Sequence, residues 1–173
     1  MSTSSAFQIY VEALGDFDHG ASGAIQTGLA ISNLSNAEAT VTLRAYRLDG
    51  TSIGSLASLV IPPNGNVAKF LNQIAGLADI EGQGILRISS ASPISVIGLR
   101  GRYNERHDFL ITTLLPVDEA AARSTAELVF PHFADAGGYT TQFILLGNPG
   151  ALPVSGILRM FSPSGQPANL ILR

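Results

Sequence analysis

Apolar and polar residues alternate with a period of two along most of the first 116 residues, the pattern of strands with one buried and one wet face. Gln8 to Leu14 is one such run and Ile25 to Asn33 a second, turned by Asn33 to Asn36. Thr40 to Leu48 is a third, with Val41, Leu43 and Ala45 on one face and Thr40, Thr42 and Arg44 on the other. Asp49-Gly50 is a strong hairpin signal. Ser55 to Ile61 predicts a fourth strand, closed by Pro62 to Gly65, and Gly84–Ser90, Ile94–Tyr103 and Phe109–Pro116 complete a set of about seven. Between them, Phe70, Leu71 and Ile74 sit at helical spacing and predict a short helical turn over Val67 to Ile74. No amphipathic helix long enough for a parallel crossover separates the strands. The expectation is an all-β, antiparallel, Ig-like β-sandwich.

The chain then writes part of itself again. Thr27 to Gly50 returns as Gln142 to Gly165, 115 residues on (Asn33 to Asn148) and without a gap. Leu43 falls on Leu158, Arg44 on Arg159, Gly50 on Gly165, and Tyr46 meets Phe161. The domain reading is a complete repeat over 6–117, a charged, Ala-rich linker over 118–127, and an incomplete second repeat of three to four strands over 128–173. A half-repeat has an apolar face and open edges, and Phe143, Leu145, Ile157, Phe161 and Leu170 would stand in water. At ~1.5–3 kcal/mol per large side chain, that exposure costs on the order of 10 kcal/mol. The segment is therefore expected to pair with the first domain or with another chain, its inner face carrying Phe143, Leu145 and Phe161. The expected assembly is a homo-oligomer, most simply a dimer, through residues 128–173.

Composition narrows the partners. Apolar residues make up 46% and charged ones 13%, a low charge that favours association. Net charge is −3 and Lys69 is the single lysine, so the chain has no nucleic-acid footprint. No apolar run reaches the roughly 20 residues that span a bilayer. Cysteine is absent, which excludes disulfides and thiolate chemistry. The first residues have neither a basic nor a hydrophobic signal-peptide region, and the strand-like end at Leu170 to Arg173 suggests an excised piece.

Candidate chemistry is sparse. His19, His107 and His132 each lie near an acid (Asp18, Asp108 and Asp135), and three imidazoles can hold a catalytic zinc with a water in the fourth position. In a sandwich the loops of His19 and His107 are expected at opposite poles, so such a site would form between modules or subunits. Asp16, Asp18 and Asp135 near glycines are a weaker, oxygen-rich calcium candidate, and equally what turns require. Arg100, Arg102 and Arg106 form the densest polar cluster, suited to a carboxylate, phosphate or sugar, or to a surface network with Glu12 or Glu105. There is no nucleophile elbow, phosphate loop or glycosidase carboxylate pair.

Phe130 to Gln142, Leu145 to Pro149 and Phe161 to Pro167 resemble the strings of an uncharacterised bacterial repeat found in tandem in large secreted or surface proteins. Ile85 to Ser90 and Gly98 to Asn104 resemble its closing half. The resemblance implies an Ig-like or fibronectin-like sandwich in an extracellular setting and carries no catalytic residues. The functional expectation is a non-catalytic module for adhesion, spacing or self-assembly, with no cofactor. The alternative is a small zinc hydrolase built from the histidines.

Overall fold

The alternation of the third strand is realised side chain by side chain. Val41, Leu43 and Ala45 are fully enclosed, Thr42 is half-buried, and Thr40 and Arg44 are exposed. The computed structural model describes residues 3–122, 127–134, 137–147 and 156–168. Within them lie β1 (Ser4–Leu14), β2 (Ile25–Asn33), β3 (Ala39–Arg47), β4 (Ser52–Ile61), β5 (Asn66–Phe70), β6 (Gly82–Tyr103), β7 (Phe109–Leu114) and β8 (Val117–Asp118). All pair antiparallel in one hydrogen-bonded sheet, and the fold is all-β.

Where two strands were expected, over 84–90 and 94–103, the chain runs as one strand of 22 residues. The first half of β6 lies between β1 and β3, with Ile88 opposite both Phe7 and Leu43. Its second half lies between β2 and β7, with Gly98 opposite Leu29 and Leu114. Adding β4 beside β3 and β5 beside β2 gives two leaves that share one strand. The change of leaf falls at Ala91 to Pro93, where the β1 register shifts between Ser4↔Ile94 and Ala6↔Ser89. Pro93 lacks an N–H, and here no ladder bond is asked of it. The sheet curls so that Phe7, Ile9, Leu43, Leu86 and Ile88 of one leaf meet Leu29, Ile31, Ile94 and Val96 of the other in one core.

The expected helical turn over Val67 to Ile74 is corrected. Asn66–Phe70 is β5, paired to β2, and only Leu71–Gln73 forms a single 3-10 turn. Beyond it the N–H groups of Ile74, Leu77 and Ile80 donate to the carbonyls of Leu71, Ile74 and Leu77, at 3.0, 3.0 and 3.2 Å. A three-residue repeat stacks side chains on one side, and Leu71, Ile74, Leu77 and Ile80 are all buried against the core. Phe70 shared their spacing by coincidence; it packs elsewhere, against Phe17.

Asn33 ends β2 and is wholly buried. Its Nδ2 shares two hydrogens among the carbonyls of Ala37, Ile61 and Pro62 at 2.7, 3.2 and 3.1 Å. Its Oδ1 accepts from the backbone N–H and the hydroxyl of Ser35 at 3.0 and 2.8 Å. One amide thus ties the β2–β3 turn to the end of β4.

The duplication extends to register. The Gly50 N–H donates to the Arg47 carbonyl at 2.9 Å, and the Arg47 N–H to that of Thr51 at 2.7 Å. In the second copy Gly165 donates to Ser162 at 2.9 Å and Ser162 to Gln166 at 2.8 Å. Gly50 and Gly165 hold φ of 87 and 79°, left-handed values that favour glycine. Phe161 bridges Pro167 just as Tyr46 pairs with Ser52. Asn148 and Leu170 lie outside the described residues. By the same offset Phe143 and Leu145 align with Gly28 and Ala30, and Ile144 and Leu146 with the core residues Leu29 and Ile31.

Leu43→Asp is expected to abolish folding, since an unpaired carboxylate would enter a fully enclosed site; a melt like that of the parent chain would show the register of β3 to be wrong. Asn33→Ala should cost about 3 kcal/mol by orphaning buried carbonyls. Asn33→Asp should cost more at neutral pH, because a carboxylate would face three carbonyl oxygens. Denaturant melts of the two variants decide the order.

Candidate functional site

The loops of His19 and His107, expected at opposite poles, share one. Antiparallel pairing sets Ile25 at the start of β2 opposite Arg102 near the end of β6, so the loop entering β2 and the loop leaving β6 emerge together. The Gly23 N–H donates to the Tyr103 carbonyl at 2.8 Å, and His107 Nδ1 donates to the Gly20 carbonyl at 3.0 Å. The long β6, which returns the chain to that end, is the reason.

The side chains of this pole are engaged with one another. His19 gives its ring N–H to Asp16 at 2.8 Å, and both groups are exposed. That hydrogen bond raises the His19 pKa and lowers that of Asp16. Asp18 accepts from Asn72 Nδ2, and Asp108 from Asn104 Nδ2 and Arg106. His132 is exposed, and Asp135 lies outside the described residues. Among the described residues no three His, Asp or Glu side chains converge to hold a metal ion.

The arginines each meet an internal carboxylate, the network reading of that cluster. Arg102 reaches Glu105 at 2.7 Å, Arg106 reaches Asp108 at 3.2 Å, and Arg100 Nε donates to Glu12 Oε2 at 2.6 Å. Glu12 is buried and also accepts from the Tyr10 hydroxyl at 3.2 Å and from Gln83 Nε2 at 3.3 Å. Burial, then the Glu12 charge and the hydrogen bond to it, push the Tyr10 phenol up to about 12. The Thr27 hydroxyl closes the adjoining seam between β1 and β2, accepting from the Glu12 N–H at 2.8 Å and donating to its carbonyl at 3.0 Å. The Glu12 and Thr27 contacts hold strands together, while the Arg102–Glu105 and Arg106–Asp108 pairs are solvent-exposed.

Two features were not anticipated. Phe17, Phe70, Tyr103 and Phe109 pack with ring centroids 5.1 to 6.4 Å apart, over the strand glycines Gly28 and Gly101. A Cβ on Gly101 would meet Phe109, Phe17 and Phe70 at 2.9, 3.0 and 3.1 Å, so only glycine admits this layer. A glycine inside a strand pattern was the available signal, since it marks close approach. Second, β7 pairs with β6 on one side only, and Phe109, Leu110 and Ile111 are all exposed.

The head of the expected linker is anchored. β8 pairs Val117 and Asp118 with Gln8 and Phe7, and the Glu119 N–H donates to the Ala6 carbonyl at 3.0 Å. Glu119 takes a bidentate fork from Arg87 Nε and Nη2, each at 2.8 Å, plus Gln8 Nε2 at 3.0 Å. Gln8 also donates to the Gly147 carbonyl at 3.0 Å, and Tyr10 to Gln142 at 3.4 Å, which lays part of the second copy along β1.

No family model and no curated protein matches the sequence. Among solved structures, Thermotoga maritima 1070 is similar with a TM-score of 0.54 and 13% identity, over 70% of this chain and 100% of that one. The Anabaena sensory rhodopsin transducer gives 0.44 and 18%, over 55% of this chain and 94% of that one. The first likeness is one of fold alone; the second carries no argument.

Burial raises the Glu119 pKa, but the hydrogen bonds from Arg87 and Gln8 with the Arg87 charge outweigh it and leave the carboxyl below its ordinary 4.5. A depressed carboxyl stabilises the fold above its unfolded pKa and loses that contribution as the pH falls through the folded value. Glu119→Gln should therefore cost about 1 kcal/mol at pH 7, discounted because Arg87 is partly exposed. The gap between parent and variant melts should shrink below about pH 4; a gap that is constant from pH 7 to pH 3 would contradict the ion pair.

Proposed function

We propose that the chain is a non-catalytic β-sandwich module that works by self-assembly outside the cell, in adhesion or spacing. The supporting observation is apolar surface that one chain leaves uncovered. Leu145, Ile157 and Val129 of the second copy are 91, 83 and 82% exposed, and Phe109, Leu110 and Ile111 stand half in water along β7. Both long edges of β6 are already occupied, and within one chain the second copy touches the first domain through the side chains of Gln8 and Tyr10 on β1. Of the free edges, β5 carries Lys69 and β4 is broken by a register shift opposite Leu43 to Ala45, whereas no charged residue occurs from Phe109 through Val117. Charges and bulges are what guard an edge against pairing, and β7 has no charge to guard it. A neighbour's second copy laid on this edge pairs backbone groups and buries apolar side chains at once, worth on the order of 1 kcal/mol for each half-exposed residue. The extracellular setting rests on the resemblance of 130–142 and 161–167 to repeats of secreted proteins.

The shared pole of His19 and His107 keeps a zinc hydrolase as a second reading. Elemental analysis of the purified chain separates the two: one zinc per chain, lost in His19→Ala and His107→Ala, would replace the assembly reading.

Light scattering on the full chain should give a dimer or larger species at micromolar concentration. Residues 1–122, which keep the Glu119 anchor, should give a folded monomer. Ile111→Lys, a charge on an exposed side chain, should weaken association at least ~10-fold. A monomeric full chain, or a truncated form that stays dimeric, would overturn the proposal.

A further inference from the structure

The two copies of the duplicated stretch carry one pattern and meet different surroundings. In the first, Leu29, Ile31, Leu43 and Ala45 are buried or nearly so within β2 and β3. Their counterparts Ile144, Leu146, Leu158 and Met160 lie in 142–147 and 156–160, where no strand forms. Leu158 is 51% exposed, whereas Leu43 is wholly enclosed. A strand preference is mostly a matter of what packs across from it, so the difference lies in a missing neighbour.

The first copy shows which neighbour. β2 and β3 do not pair with each other; β6 joins them. Its Leu86 and Ile88 lie opposite Ala45 and Leu43, and its Val96 and Gly98 opposite Ile31 and Leu29. No other strand serves both. β4 pairs with β3, β5 pairs with β2, and β1 meets β2 only where Ala13 and Leu14 face Gln26 and Ile25.

The 173 residues hold two stretches of the β2–β3 type and one of the β6 type, Gly82–Tyr103. That strand is already paired along both edges. Exchanging β6 between copies of this chain does not make up the shortfall, because each second copy closed would open a first domain.

We propose that the second copy is a receptor for a β6-type strand, donated by a partner protein built of the same repeat. The donor is an extended segment with the alternation of Gly82–Tyr103, its inner side chains in the places of Leu86, Ile88, Ile94 and Val96. Backbone pairing to 142–147 and 156–160 supplies affinity, and the apolar contacts with Ile144, Leu146, Leu158 and Met160 supply specificity. A two-residue contact of the β1–β2 kind cannot substitute, since the donor must cross from one leaf to the other to reach both stretches. The inference does not rest on the β7 edge used in the assembly reading.

The test titrates the full chain into a dye-labelled synthetic peptide of residues 82–103 and follows fluorescence anisotropy. One peptide should bind per chain, at least ~10-fold more tightly than either half-peptide, 82–92 or 93–103. Hydrogen exchange in the complex should slow at least ~10-fold at the amides of 142–147 and 156–160 and stay unchanged in the first domain. Leu158→Asp, at an exposed position, should leave the melt of the first domain unchanged and weaken binding at least ~10-fold. Ile88→Asp in the peptide should weaken it to the same degree. Ile111→Lys should bind the peptide as the parent chain does, whatever its own state of association. Four outcomes would overturn the proposal: no binding at ~100 μM peptide, protection confined to the first domain, undiminished binding by Leu158→Asp, or loss of binding in Ile111→Lys, which would put the peptide on β7.

Discussion

The buried amide of Asn33 sets the geometry on which the sheet depends. Five hydrogen bonds to one side chain fix where β2 stops, how the chain turns into β3, and where β4 must end. Remove it and the carbonyls of Ile61 and Pro62 lose that donor at the place where both leaves begin to share a core, while Ala37 keeps the Ser35 hydroxyl at 2.8 Å. The same asparagine returns in the sequence as Asn148, 115 residues on.

Much of this was legible because local rules and the final fold agree. The period-two pattern of β3 survives intact, since its two faces meet different surroundings. The Asp49-Gly50 turn and its Ser164-Gly165 counterpart form from their own local chemistry, with left-handed glycines. What escaped was set by distant partners. Phe70 and Leu71 are adjacent yet serve opposite layers, so no local period describes them. The two halves of β6 look like separate strands because Pro93 interrupts the pattern without interrupting the path. The poles of His19 and His107 follow from that path and could not be read without it.

Charge is used sparingly and mostly inward. Arg100 and Arg87 are spent on Glu12 and Glu119, which fasten the two ends of β1 to its neighbours. Such pairs are costly to break once one partner is buried, and they contribute little to binding anything else. The surface that remains is poor in charge along β7.

The position of β6 also governs the order in which the domain can be made. It lies at the centre of both leaves, and its partners β1, β2 and β3 all precede it by long stretches of chain. Until β6 begins to leave the ribosome, only the β3–β4 hairpin, the β2–β5 pair and the short β1–β2 contact have their partners. The loop-closure entropy of the remaining contacts falls due at one late step. Folding should be a single cooperative event of high contact order, slow for a chain of this size, with the apolar faces of β1 and β3 waiting unpaired in the interval. In a protein built of many such units, synthesis would advance one closing strand at a time.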